Sequence, residues 1–163
     1  MYKLYWAPKT AAFAPQAVLE EAGLPYELVP VDLEREENLG PAYLAVNPAG
    51  YVPALQGEVC GILYESAAIV LYLCDHHGLA ELVPAPDEAL RGLFYRSLFY
   101  MTNTVQEAYK LFYYPQRFTA EPGDAPGIKA RAEQLLIERW AVVEAQLAGG
   151  GPCLLGKIGR AHV

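Results

Sequence analysis

Apolar and polar positions follow two different periods along the chain, and the change comes near residue 80. Lys3–Trp6 is a short β-rich run interrupted by Pro8. From Ala11 to Ala22, the apolar positions Ala14, Val18, Leu19 and Ala22 fall on one side at helical spacing, which predicts a helix. Pro15 lies early enough for a first turn, and Gly23 is placed to end the helix at C′. Tyr26–Val31 alternates as a strand, with a proline that favours an edge. Asp32–Leu39 reads as an exposed charged loop, and Asn47-Pro48-Ala49-Gly50 as a turn. Val52–Leu55 and Val59–Leu63 are two short strands around Gln56-Gly57-Glu58, and Glu65–His77 is a helix closed by Gly78.

Past residue 80 the pattern becomes helical. Asp87 is a good N-cap, and from there to Tyr113 a single long helix is expected. One stripe runs through Leu90, Leu93, Phe94, Ser97, Met101, Val105, Ala108 and Phe112. A second runs through Tyr95, Phe99, Thr102, Gln106, Tyr109 and Tyr113. Pro115 ends that helix, and Pro126 opens another with Ala132, Leu136, Trp140, Val143 and Leu147 on one side. The order is β-α-β, loop, β-β-α, then helices. It predicts an α/β layered domain over 1–79, a linker at 80–86 and a partial all-α domain at 87–156. Two long helices cannot enclose a core alone, so their apolar faces call for further helices.

Charge sharpens this division. Of the net charge of −7, all resides in the first 80 residues, where Lys3, Lys9 and Arg35 face ten carboxylates. That balance argues against nucleic acid and against an anionic membrane surface as partners. The longest apolar stretch, Ala67–Cys74, is far shorter than the roughly 20 residues of a spanning helix. Cys60, Cys74 and Cys153 form no C-x-x-C pair, so neither a zinc ribbon nor a dithiol site is indicated. Free thiols and no signal peptide suit a cytoplasmic protein. Adjacent His76 and His77 point to different helix sides with no third ligand near in sequence, so no metal is expected.

Two pieces carry the chemistry. The first is Asn47-Pro48-x-Gly50-x-Val52-Pro53-x-Leu55. The second, ten residues on, is Glu65-Ser66-x-Ala68-Ile69-x-x-Tyr72-Leu73. Together, between a β-α-β half and a helical half, they closely resemble the cytosolic glutathione transferase family, of bacterial type, over essentially 1–156. The resemblance implies a thioredoxin-like first domain, a helical second domain, glutathione as co-substrate with no metal, and a homodimer in the full-length protein. It further implies detoxifying conjugation of a small apolar electrophile. The electrophile would lie between the domains, against Tyr95, Phe99, Thr102, Gln106 and Tyr109.

The resemblance places glutathione on Val52, Pro53, Glu65 and Ser66. Pro53 stands where the family has a cis-proline, leaving the Val52 N–H and C=O to pair with the extended peptide. Ser66 opens a helix, where N–H groups receive a carboxylate; in isolation it reads first as an N-cap, the commonest use of Ser at such a place. Tyr51 occupies a position that is often a polar glutathione contact in the family. Family members stabilise the thiolate with a Tyr at the end of the first strand, or with a Ser or Cys at the start of the first helix. This sequence offers Tyr5 at the first place and Thr10 near the second, with Lys9 adding positive charge. The position matching the bacterial cysteine is Ala11. Thr10 is the first candidate, as the only hydroxyl in the turn entering that helix, and Tyr5 the second. A non-catalytic binding or interaction module on the same fold is the alternative, kept alive by Ala11 and Tyr51. Residues 157–163, Lys-Ile-Gly-Arg-Ala-His-Val, match no pattern of the family. Their last six residues are what ATC GGA AGA GCA CAC GTC encodes, which resembles a sequencing adapter read in frame. A C-terminally truncated chain ending near Gly156 is therefore expected.

Overall fold

Tyr2–Trp6 forms β1, and Phe13–Glu21 forms α1, in the computed structural model, which describes residues 1–150 and 154–155. Tyr26–Pro30 (β2), Ala54–Gly57 (β3) and Gly61–Tyr64 (β4) complete a sheet of order β2-β1-β3-β4. β2 runs parallel to β1, joined to it through α1, while β3 and β4 are antiparallel neighbours. Pro30 thus sits on an edge strand, where its missing N–H costs no ladder bond. Ser66–His76 (α3) follows β4 and lies with α1 on one face. Leu4, Leu19, Leu55, Ile69 and Leu73 from β1, α1, β3 and α3 form the fully buried core between them. Each such side chain contributes about 1.5–3 kcal/mol of burial. This is a thioredoxin-like mixed α/β fold.

Both helices end as their glycines foretold. Gly23 and Gly78 adopt φ of 61°, and the next residues close back on the last turn, Leu24 N–H to Leu19 O and Leu79 N–H to Cys74 O, each at 2.9 Å. Three local expectations differ. The hairpin expected as Val52–Leu55 and Val59–Leu63 lies later, at Ala54–Gly57 and Gly61–Tyr64, because Gln56 and Gly57 pair with Ile62 and Gly61 and so belong to β3 and not to the turn. α1 begins at Phe13 and not Ala11, because the Thr10 hydroxyl accepts the Ala12 N–H and holds 10–12 in a turn. The segment read as loop after Asp32 contains a 3-10 turn, Glu37–Leu39, and a one-turn helix, Pro41–Leu44 (α2). Its four residues are too few to show a period.

The chain divides into two compact units, Met1–Pro86 and Asp87–Val163. The second unit is helical. Arg91–Tyr100 (α4), a π-helical turn at Met101–Val105, Gln106–Tyr113 (α5) and Ala125–Gly150 (α6) follow in order. The single long helix expected from Asp87 therefore starts four residues later, at Arg91, and is interrupted. The Thr102 hydroxyl donates back to Leu98 O at 3.2 Å, and Gln106 N–H reaches five residues back to Met101 O. Such back-bonding loosens the normal ladder. Arg139 of α6 then donates to Thr104 O, and Tyr100 donates to Arg139 O at 3.1 Å. The adapter-like tail and Cys153 lie outside the described residues. Among those described, no helix is long and apolar enough to cross a membrane.

Candidate functional site

The sheet register decides which loops meet. Tyr5 of β1 pairs with Ala54 of β3, which pairs with Tyr64 of β4. One residue beyond that row, at the same end of the sheet, lie Trp6, Pro53 and Glu65. The two sequence motifs and the turn carrying Thr10 therefore share one end of the sheet.

Three sets of hydrogen bonds hold this end in shape. The Ser66 hydroxyl donates to the Ala11 carbonyl at 2.9 Å, tying the start of α3 to the turn before α1. Ser66 is thus not an N-cap. The cap position is Glu65, with φ of 73°, and no side chain caps α3. The first N–H groups of this eleven-residue helix remain available to an anion. The Thr10 hydroxyl donates to Ala7 O at 2.7 Å and accepts the Ala12 N–H at 3.3 Å. Lys9, beside it, is exposed and left-handed, with φ of 58°.

The third set surrounds Val52. The Val52–Pro53 bond is cis. Before it, Asn47 is almost fully buried, and its Oδ1 accepts the Ala49 N–H at 3.0 Å. Asn47 Nδ2 and the Tyr43 hydroxyl both donate to Tyr51 O, each at 2.7 Å. Asn38 Nδ2 donates to Gly50 O at 2.7 Å. Gly50 has φ of 69°, and a Cβ there would lie 3.1 Å from Leu39 Cδ2, so the turn needs glycine. The Tyr51 side chain is exposed. Burial pushes the Tyr43 phenol up to about 12, so its hydroxyl keeps its proton across the neutral range.

Tyr5 lies elsewhere. Alternation along β1 sends Leu4 into the core with α1 and α3, and Tyr5 to the opposite face. There its ring meets Tyr43 edge-on at 5.9 Å, and its hydroxyl donates to Gln56 Oε1 at 3.3 Å. Thr10 and Tyr5, the two thiol-activating candidates, thus occupy different environments.

In the second unit, the extra residue of the π-turn rotates the helix beyond it by about 100°. The second stripe is split. Tyr95 and Phe99 neighbour each other at 6.4 Å, with the Arg91 guanidinium 4.7 Å from the Tyr95 ring. Gln106 is half-buried beyond the turn. Tyr109 stacks on Tyr113, and its hydroxyl accepts the Trp140 indole N–H of α6 at 3.1 Å. Thr102 is occupied by its bonds to Leu98 and Asn103.

A cavity of about 240 Å³, lined by Tyr2, Pro25, Glu58, Val59 and His77 among others, lies at the other end of the sheet from these motifs. Tyr2 and His77 are hydrogen-bonded there at 2.8 Å, and His76 stacks on Tyr72. Burial, with His76 next, lowers the His77 pKa. Among the described residues, no three His, Cys, Asp or Glu side chains form a group suited to a metal ion.

Tyr43, Asn47 and Asn38 were missed as site residues by sequence reasoning. The Asn-Pro-x-Gly turn signal marked Asn47, but nothing local indicated whose carbonyl its amide would hold.

The family model "Glutathione S-transferase, N-terminal domain" matches residues 1–75. Glutathione S-transferase 3 of Zea mays is 35% identical over 153 residues, covering 90% of this chain and 67% of the maize protein. A glutathione transferase homologue from Sulfitobacter, solved with bound glutathione, superimposes with a TM-score of 0.88 at 31% identity, over 96% of this chain and 74% of that one. A glutathione transferase from Methylococcus capsulatus gives a TM-score of 0.81 at 34% identity, over 99% and 77%. The chain spans about two thirds or less of the length of the curated relatives it matches.

Proposed function

This chain belongs to the glutathione S-transferase family, and on that premise we propose that it binds glutathione at the motif end of its sheet and conjugates its thiolate to a small apolar electrophile. The observation that carries this reading is the convergence there of Val52, the uncapped start of α3 and the Thr10 turn, joined by the Ser66–Ala11 bond. The peptide backbone of glutathione pairs with the Val52 N–H and C=O beside Pro53, as an added strand. Its γ-glutamyl carboxylate takes the Ser66 N–H and the positive end of α3, and Glu65 takes the ammonium. On an acidic domain, capture has to rest on such local donors. Tyr51 borders this strip with its backbone.

An unperturbed thiol has a pKa of about 8.5, so most glutathione is protonated at neutral pH. Thr10 stabilises the thiolate by turning its hydroxyl from Ala7 O to the sulfur. The Ala12 N–H donated into its oxygen strengthens that donor. Lys9 adds positive charge. The sulfur lone pair then forms a C–S bond to an electrophilic carbon of the substrate; the electron pair of the bond broken at that carbon leaves with a displaced anion such as halide or, in an addition, moves onto the neighbouring activated atom, which water protonates. Of the stripe Tyr95, Phe99, Thr102, Gln106 and Tyr109, the Tyr95–Phe99 pair is the apolar surface we assign first to the electrophile. We place the activity in the cytoplasm, as detoxification, in a homodimer.

The test is retention of the full chain on immobilised glutathione, followed by an assay of thiol conjugation. Thr10→Ala should lower kcat roughly 10- to 100-fold, the worth of one hydrogen bond to a charged atom. If Tyr5→Phe loses rate instead, the role passes to Tyr5. Retention without turnover favours the non-catalytic module. A wild-type chain that is not retained overturns both readings.

A further inference from the structure

We infer that Tyr43 is a positioning residue for glutathione capture, aiming the Val52 N–H at the ligand by holding the carbonyl of the preceding peptide unit inward with Asn47. The inference rests on the glutathione reading above and goes further, since α2 carries no motif and was assigned no part in binding, yet reaches the strip through the Tyr51 carbonyl.

The argument is one of peptide geometry. Tyr51 C=O and Val52 N–H belong to the same planar unit, and only the next bond, Val52–Pro53, is cis. In a trans peptide the C=O and N–H point in opposite directions. Whatever fixes the Tyr51 carbonyl therefore fixes the Val52 N–H. Two donors converge on that oxygen at 2.7 Å each, the Tyr43 hydroxyl and Asn47 Nδ2, and fill its two lone pairs. Both side chains are almost fully buried, Tyr43 at 6% exposure and Asn47 at 2%. Each donor is held at a second point. The Tyr43 ring rests edge-on against Tyr5, and Asn47 is pinned by the Ala49 N–H on its other atom. The high pKa of Tyr43 keeps the donor proton in place.

Val52 is the one residue that must present an N–H and a C=O to an extended ligand. Without the clamp, its peptide unit can rotate between the flanking turn and Pro53. The ligand would then have to order it, and binding weakens accordingly. On this account Tyr5 supports Tyr43 from the far face of the sheet and acts through it.

Two variants test this in the full chain. Tyr43→Phe keeps the ring on Tyr5 and removes only the donor. The dissociation constant for glutathione, measured by calorimetry, should rise about three- to tenfold, the range for one hydrogen bond. KM for glutathione should rise with it, while kcat stays within about twofold. Asn47→Asp keeps the acceptor for the Ala49 N–H but turns an oxygen toward the Tyr51 carbonyl, and should weaken binding more than Tyr43→Phe. Without ligand, the backbone order parameter at Val52 should fall from the rigid value of about 0.85 toward 0.6 in Tyr43→Phe. That measurement stands whether or not glutathione binds. A wild-type chain with no glutathione affinity overturns the functional reading alone. An unchanged Val52 order parameter, or glutathione affinity within twofold of wild type in Tyr43→Phe, overturns the positioning role. Loss of stability with KM unchanged does so as well.

Discussion

The bond from Ser66 to Ala11 permits a quantitative test because the chain explains why it is needed. In a helix, the carbonyl of Ala11 would accept from the N–H of residue 15. Residue 15 is proline and has none. The Ser66 hydroxyl supplies the donor at 2.9 Å, in a residue only 7% exposed. Ser66→Ala leaves that carbonyl without its partner, at a cost of about 1–3 kcal/mol. At about 2 kcal/mol, and with a urea dependence of about 2 kcal/mol per molar, the midpoint falls by about 1 M. The sharper measurement is a double-mutant cycle with Pro15→Ala. Pro15 is fully buried, so its replacement costs packing by itself. It also restores an N–H four residues after Ala11. In that background Ser66→Ala should therefore cost less, with a coupling of about 1 kcal/mol. The assay is urea unfolding of the ligand-free chain. Additivity within about 0.5 kcal/mol, or a Ser66→Ala midpoint equal to wild type, would refute the reasoning.

Two further outcomes are expected. The Tyr43 phenol has a folded pKa of about 12 against the usual 10.0, because burial favours its neutral form. The folded state therefore holds this proton more tightly. The associated stability is full below pH 10 and declines by about 3 kcal/mol as pH rises toward 12. Urea midpoints at about pH 8 and about pH 11 should separate more in wild type than in Tyr43→Phe, and equal separations would contradict the assignment. Gly57→Ala would set a Cβ 2.7 Å from the Tyr2 ring and 3.0 Å from Cys60 Sγ, while Tyr2 is tied to His77. About 1–3 kcal/mol should be lost to overpacking. Glutathione affinity should not move, because Gly57 lies at the opposite end of β3 from Pro53; a change in calorimetric affinity would show coupling along the strand.

Much of the fold was legible in sequence because its determinants are local. Gly23 and Gly78 sit where only a left-handed residue closes the helix, and both helices end there. Pro30 asked for an edge and received one. Val52-Pro53 and Glu65-Ser66 carried the family resemblance through residue types at a recognisable spacing, and the structure brings both pieces to one end of the sheet. Less legible were features made by side chains distant in sequence. The break in the long helix depends on Thr102 bonding back to Leu98 and on Arg139 of α6 taking the Thr104 carbonyl. The stripe pattern of α4 and α5 assumed an unbroken period and so joined Tyr95 and Phe99 to Tyr109, which the structure engages with Trp140.

By itself the sequence determined the order of elements, the acidic character of the first unit, and the family whose motifs it carries. These come from spacing, from turn chemistry and from counting charges, none of which needs a partner residue far away. The tertiary structure decided the rest. It showed Ser66 reaching across to Ala11 where the residue alone read as an N-cap. It sent Tyr5 to the face opposite Leu4, α1 and α3, because a strand alternates its side chains. It also brought Tyr43, from a helix too short to announce itself, onto the carbonyl that orients Val52. A hydrogen bond between buried groups depends on where two remote backbones come to rest, and that is set by packing the whole core.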